Sequence, residues 1–348
     1  MLNKITTKIK FWLDSLINIF RNQKIVIIIE TGNWVIQNIS LNLTSLIKNT
    51  TQSTSTLLLQ NKIIHFSSIH SYISQRQKIH PSNKVIITWY HLNERLIEKE
   101  IARQISQKEN ITIHTACQKT KSNLIAAGVP AEKIIIIPLG IDLKNFKPSK
   151  NPLEKTEIKK RLDLPLDKII IGSFQKDGNG WGEGNEPKLI KGPDIFCDTV
   201  EILAKKFPIH ILLTGPARGY VKNRLSEAGI PFTHKYLKKY NDIVNFYHAL
   251  DLYIISSRVE GGPMALLESW ATGVSLVSTP VGMVKDIGKN EENILLADIG
   301  DVKKLARQAT KLIENQELSK KLSRNALEEV QKYTWQKMAD NCLQKLYS

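Results

Sequence analysis

From residue 24 onward the chain alternates short apolar runs with stretches of helical periodicity, the rhythm of a parallel α/β sheet. The apolar runs predict strands over residues 24–30, 62–67, 84–89, 111–115 and 133–137. A segment rich in Pro and Lys, 147–152, then reads as a linker. The rhythm resumes with strands at 168–174, 210–214, 232–237, 251–256 and 274–278, and residues after Asp301 read as consecutive helices. No short-period repeat is present. The expected organisation is two α/β domains, 24–146 and 153–330, joined by the linker. A terminal helix in 331–348 is expected to pack back toward the first domain.

Residues 1–23 stand apart from this rhythm. Ile5, Ile9, Trp12, Leu16 and Phe20 fall on one helical face, with Lys4, Lys8, Lys10 and Arg21 at its sides. Such a basic amphipathic helix suits an anionic membrane surface. It equally suits a helix docked on the first domain with the same face buried. The pattern alone leaves both open.

Composition narrows the class. The 348 residues exceed one small core, and 42% hydrophobic content is globular. No apolar run approaches the ~20 residues of a membrane-spanning helix, and no secretory signal is evident, so the expected location is cytoplasmic, with peripheral attachment at the inner face of the membrane as an option. Cys117, Cys197 and Cys342 are odd in number and widely spaced, which argues against a disulfide framework and suggests a reducing compartment. A net charge of +16 suits acidic or phosphate-bearing partners, although richness in Ile, Asn and Lys accounts for part of it.

The candidate chemistry sits in Ser256-Ser257-Arg258-Val259-Glu260-Gly261-Gly262-Pro263-Met264-Ala265-Leu266-Leu267-Glu268. A strand ends at the serines, two glycines follow a carboxylate, and Pro263 stands where a helix is expected to begin. Glycines let backbone approach a ligand. A helix start offers free N–H groups and a positive dipole end, which suits a diphosphate. Glu268 lies just over a turn inside, its side chain leaning back toward that end. A generic Glu pair at this spacing is a helix cap and a solvated residue. The glycines, proline and strand-to-helix context favour a ligand site instead.

This segment resembles the Glu-x7-Glu motif of family-4 (group 1) retaining glycosyltransferases, whose GT-B fold has two Rossmann-like domains facing each other across a cleft. Ile137-Pro138-Leu139-Gly140-Ile141-Asp142, Ala271-Thr272-Gly273, Ser278-Thr279-Pro280-Val281-Gly282 and Asn293-Ile294-Leu295-Leu296 are similar to further segments of the family, so the likeness covers most of residues 84–345. The resemblance implies that Glu260 contacts the transferred sugar and Glu268 the ribose. It implies backbone contacts to sugar and phosphate from Gly261, Gly262, Pro263, Met264 and Ala265. Lys191, of the pair Lys191-Gly192, would contact the donor diphosphate, and Lys176 stands where the family usually has Arg. His91, at the end of the strand 84–89, would line the reaction centre, and Gly32 matches a glycine loop beside the donor phosphates. The stretch 177–190 between the two lysines reads as a mobile loop, a lid or part of the acceptor site.

The resemblance implies transfer of a sugar from a nucleotide-sugar donor to a carbohydrate or lipid-linked acceptor, with retained anomeric configuration. The first domain would take the acceptor and the second the donor. Positioning and charge stabilisation would carry the reaction, with neither metal nor cofactor. The absence of Asp-x-Asp agrees. A nucleotide-dependent oxidoreductase is disfavoured because no Gly-x-Gly-x-x-Gly follows an early strand. Nucleic-acid binding lacks any recognised module. A non-catalytic sugar- or nucleotide-binding protein on the same fold is the remaining alternative.

Overall fold

The structure, a computed structural model, describes residues 2–30, 34–92, 96–149, 151–180, 182–237 and 239–348. It divides into two compact units, Met1–Gly140 with Trp335–Ser348, and Ile141–Thr334. Each is built on its own six-stranded, wholly parallel sheet.

The first unit runs α1 (Leu2–Asn18), β1 (Ile25–Ile28), α2 (Trp34–Leu46), β2 (Thr50–Ser53), β3 (Ile63–Phe66), α3 (Ile69–Gln75), β4 (Lys84–Thr88), α4 (Leu96–Ser106), β5 (Ile111–Thr115), α5 (Gln118–Ala126) and β6 (Ile134–Ile136). Strand order is β2-β1-β3-β4-β5-β6. Every residue of β1 and β3 is buried, which is why β1 reads as an unbroken apolar run and β3 as one interrupted only by His65, rather than as alternating strands. Ile64, Phe66, Ile87, Trp89 and Ile113 form the centre of the core. Strand β2 was not expected from the sequence: Thr-Thr-Gln-Ser is polar and mostly half-exposed, because it is a sheet edge.

Helix α1 is docked through its polar face. Asp14 Oδ2 accepts from Thr54 N and Oγ1, each at 2.7 Å. Ser15 Oγ meets Ser55 Oγ at 2.7 Å, and Asn18 Nδ2 donates to Ser55 O and Leu57 O at 3.0 and 2.9 Å. The reading in which the apolar stripe is buried against the first domain is thereby overturned. Ile9, Trp12, Leu16 and Phe20 are 54, 63, 59 and 81% exposed. Hydrogen-bonding capacity on β2 and the turn after it, rather than apolar area, selects the docked face.

The second unit runs α6 (Pro152–Arg161), β7 (Ile169–Phe174), α7 (Pro193–Ala204), β8 (Ile209–Thr214), α8 (Gly219–Glu227), β9 (Phe232–His234), α9 (Ile243–Ala249), β10 (Leu252–Ile255), α10 (Met264–Thr272), β11 (Leu276–Ser278), α11 (Met283–Ile287), β12 (Leu295–Leu296), α12 (Val302–Glu314) and α13 (Gln316–Val330). Its strand order is β12-β11-β10-β7-β8-β9. The chain leaves β7 toward β8 and β9, then returns to β10 on the other side, so β7 and β10 flank a topological switch point, where open α/β sheets bind ligands. Ile171, Ile211, Leu213, Ile254 and Val277 lie in its core.

The last helix, α14 (Trp335–Lys345), belongs to the first unit and contacts α2. The chain passes between units at Gly140–Ile141, ahead of the expected linker at 147–152. Residues 141–146 are held by the second unit: Ile141 N donates to Tyr333 O at 2.9 Å, and the Phe146 ring packs on Tyr240.

Beneath α14, a buried polar chain crosses the first sheet. The Tyr347 hydroxyl shares a hydrogen bond with His65 Nδ1 at 2.5 Å. His65 Nε2 meets Thr88 Oγ1 at 2.7 Å, Thr88 Oγ1 meets His114 Nδ1 at 3.0 Å, and His114 Nε2 meets Ile137 O at 2.9 Å. Burial pushes both imidazoles down, His65 to about 3 and His114 to about 4.

Candidate active site

The C-terminal ends of β7 and β10 gather the predicted residues of the second unit. Beyond β10 the chain turns through 256–262 and enters α10. Pro263 is the residue before the helix rather than its first residue, with φ −66° and ψ 112°, and Met264 begins it. No acidic side chain stands in the first turn to occupy the dipole end. Gly261 is buried and its carbonyl accepts from Met283 N at 2.9 Å. Gly262, Pro263 and Ala265 are half-buried, and Met264 is buried. Gly282 packs so tightly on this turn, with φ +49°, that a Cβ there would lie 2.3 Å from Gly261 O. Only glycine fits.

Lys191 ends a short 3₁₀ turn, Leu189–Lys191, ahead of α7. Gly192 follows in the left-handed region at φ +61°, and a Cβ on it would meet Ser256 O at 2.0 Å. The Lys-Gly pair is therefore a fixture of packing as well as of charge. The turn is stitched to the 256–262 segment: Arg258 N and Val259 N both donate to Ile190 O, and Ser256 Oγ donates to Gly192 O at 2.8 Å. Arg258 grips Asp194 with both terminal nitrogens, at 2.7 and 2.6 Å, and these bonds lower the Asp194 pKa.

This framework brings Lys191 and Glu260 together. Lys191 Nζ donates to Glu260 Oε1 at 2.6 Å, and Ser257 Oγ donates to the same oxygen at 3.0 Å. Their side chains retain 20 and 11% exposure, so the pair is accessible to a small ligand. Lys176, two residues beyond β7, is half-buried, and desolvation lowers its pKa.

Glu268 is placed differently. It is 3% exposed, and both carboxylate oxygens accept from phenols: Oε1 from Tyr240, and Oε2 from Tyr247 at 2.7 Å. Burial raises its pKa against the opposing effect of the two phenols, and raises both tyrosines well above their ordinary value. Sequence reading missed Tyr240 and Tyr247, whose only sign was aromatic residues in an otherwise helical pattern. It also missed Ser257 and Arg258 as positioning residues, although both lie inside the motif.

The stretch 177–190, expected as a mobile loop, is a hydrogen-bonded hairpin. Gly178 pairs with Pro187, Asn179 N donates to Glu186 O, and Lys188 N donates to Asp177 O at 2.7 Å. Its far side docks on the start of α8 through Gly219 N to Glu183 O and Tyr220 N to Gly184 O. At its base Asp177 and Arg218, both fully buried, form an ion pair at 2.9 Å. Arg218 also donates to Ser173 O and Thr214 O, which ties the hairpin to β7 and β8. Trp181 lies outside the described residues.

In the first unit, His91 follows β4 and is half-buried; Trp89 Nε1 donates to its carbonyl at 3.1 Å. Gly32 lies outside the described residues. Among the described residues no cluster of His, Cys, Asp and Glu is arranged to hold a metal ion, and no helix is long and apolar enough to cross a membrane.

Residues 187–329 match the model of the family described as glycosyl transferases, group 1. The chain is 30% identical over 202 residues to the lipopolysaccharide core biosynthesis mannosyltransferase LpsB of Rhizobium meliloti, covering 55% of this chain and 54% of that one. It is 21% identical over 253 residues to a D-inositol 3-phosphate glycosyltransferase of Saccharomonospora viridis, covering 69% and 55%. The chain thus spans about half the length of the curated relatives it matches. Among solved structures, Anabaena HepE in complex with UDP-glucose superposes with a TM-score of 0.75 at 14% identity, covering 93% of this chain and 99% of that one. Sucrose-phosphate synthase from Thermosynechococcus elongatus gives 0.67 at 18%, covering 82% and 72%. At such identities the likeness is one of fold, and that fold is GT-B, an α/β architecture of two parallel-sheet domains. The family match lies wholly within the second unit and contains Lys191, Glu260 and Glu268. Over residues 187–329 the second unit of this chain is thus similar to the domain described as glycosyl transferases, group 1.

Proposed function

We propose that the protein transfers a sugar from a nucleotide-sugar donor to a hydroxyl of a carbohydrate or lipid-linked acceptor, with retention of configuration and without a metal. The observation that carries this reading is the Lys191–Glu260 pair beside the start of α10, at the switch point of a parallel sheet. An ammonium and a helix start stabilise a departing diphosphate, and a carboxylate orients sugar hydroxyls. In this reading the diphosphate displaces Glu260 from Lys191, and the freed carboxylate turns to the sugar. Lys176 adds a second cation, Glu268 meets the ribose, and His91 of the first unit serves the reaction centre, with Gly32 at the phosphates. The family-4 assignment belongs to the same proposal. Cys117, Cys197 and Cys342, all buried free thiols, support a cytoplasmic setting.

A second reading is a non-catalytic sugar- or nucleotide-binding protein on the same fold. Incubation with UDP-, GDP- and ADP-sugars separates the two. UDP-sugars head the screen because the Anabaena structure contains UDP-glucose. Nucleotide release together with thermal protection supports transfer. Protection without release supports binding alone, and neither effect with any donor overturns both.

A further inference from the structure

Helix α1 turns its apolar side to solvent while its polar side holds the first unit. At 3.6 residues per turn, Ile9, Trp12, Leu13, Leu16 and Ile17 fill an arc of roughly 140°, opposite Asp14, Ser15 and Asn18. Those five are 51–63% exposed, and Ile19 and Phe20 extend the apolar surface past the helix end at 57 and 81%. Phe11, in the middle of the docked side, is covered by Lys78 Nζ, 4.8 Å from its ring centre. Lys8 and Lys10 are exposed and fall at opposite margins of the arc. A contiguous apolar face of this kind marks an interaction site. The opposite side of α1 is committed, because breaking the Asp14, Ser15 and Asn18 bonds would strand polar groups at Thr54 and Ser55.

The charge pattern selects the occupant. A second copy of α1 would set the same lysine margins against each other in a chain of net charge +16. An anionic lipid surface complements them: lysine stems reach from the apolar face to headgroup phosphates, and Trp12 suits the boundary between apolar and polar layers. We propose that α1 lies flat on an anionic bilayer, inserting Ile9, Trp12, Leu13, Leu16, Ile17 and Phe20, with Lys8 and Lys10 at headgroup level. The first unit hangs from its other side without any rearrangement. This attachment is independent of glycosyl transfer and is tested without it.

The full chain is sedimented with vesicles of phosphatidylcholine alone and with vesicles containing phosphatidylglycerol. Binding is expected to the anionic vesicles, weakening as salt is raised. Leu16→Glu with Phe20→Glu should cut that binding about tenfold or more at unchanged melting temperature, since both side chains face solvent. Lys8→Gln with Lys10→Gln should reduce binding to anionic vesicles and leave the phosphatidylcholine baseline unchanged. Failure of the wild-type chain to sediment with anionic vesicles overturns the proposal, as does full retention of binding by the Leu16/Phe20 variant. A wild-type dimer dissociated by Leu16→Glu and Phe20→Glu would assign the face to a second copy instead, and also overturns it.

Discussion

Lys191 and Glu260 neutralise each other in this structure, and that fixes what each substitution should do. Lys191→Ala removes a charged donor and should weaken nucleotide diphosphate binding by about 1.5–3 kcal/mol in calorimetry. Glu260→Ala should leave nucleotide affinity equal or higher, because the ammonium is released, while donor turnover collapses. Normal turnover in that variant would remove Glu260 from the reaction. Glu268 behaves unlike either. Glu268→Ala strands the Tyr240 and Tyr247 hydroxyls in a buried site, so it should lower the melting temperature as well as nucleotide affinity. Unchanged melting would show that the phenols find other partners. The motif itself was legible in sequence because glycine, proline and carboxylate types are dictated by backbone geometry at a strand-to-helix turn. The tyrosines were not, since their hydrogen bonds span over twenty residues of chain and leave no local spacing.

Among elements, the hairpin at 178–187 shows why composition misled. Its glycines and Asn suggest slackness, yet Gly178 and Gly184 are required by close approach: a Cβ on either would lie within 2.4 Å of Ala217 backbone. Arg218→Ala would leave Asp177 buried and unpaired, a loss of about 3–5 kcal/mol. Hydrogen exchange at 178–188 should accelerate in that variant; protection equal to wild type would refute the ion pair as its anchor. The strands β3, β4 and β5 carry a second element-scale consequence. His65 and His114 are held neutral with depressed pKa values, while the unfolded chain titrates near 6.5. Their contribution is fully present above pH ~6.5, where neither state is protonated. As pH falls below that value the unfolded state binds protons first, and each histidine costs about 1.4 kcal/mol per pH unit until its folded pKa is reached. Amide exchange of β3 and β4 should report stability dropping from pH 6.5 toward 4, with a shallower slope in His65→Gln/His114→Gln. An equal slope would assign the acid sensitivity elsewhere. Interior strands were readable because parallel strands buried on both faces are mostly apolar, with isolated polar positions such as His65, His114 and His210. The edge strands β2 and β12 were not: one is polar and the other has two residues.

For the whole molecule, the reading of a metal-free reaction makes a direct forecast: donor turnover should survive EDTA, and loss restored by manganese would call for another mechanism. The two-sheet architecture was legible from the alternating pattern of the entire chain. The chain passes to the second unit ahead of the expected linker, because 141–146 carry no compositional mark of their attachment, and it returns to the first with α14, inside the terminal segment 331–348. That attachment makes the first unit discontinuous: Met1–Gly140 is completed by Trp335–Ser348. A ribosome adding about 5–20 residues per second finishes the whole second unit before α14 exists, an interval of roughly 10–40 s. Throughout it the growing chain holds a sheet whose His65 lacks Tyr347 and whose α2 lacks α14. The first unit thus starts to be made before the second yet completes its fold after it, when α14 arrives.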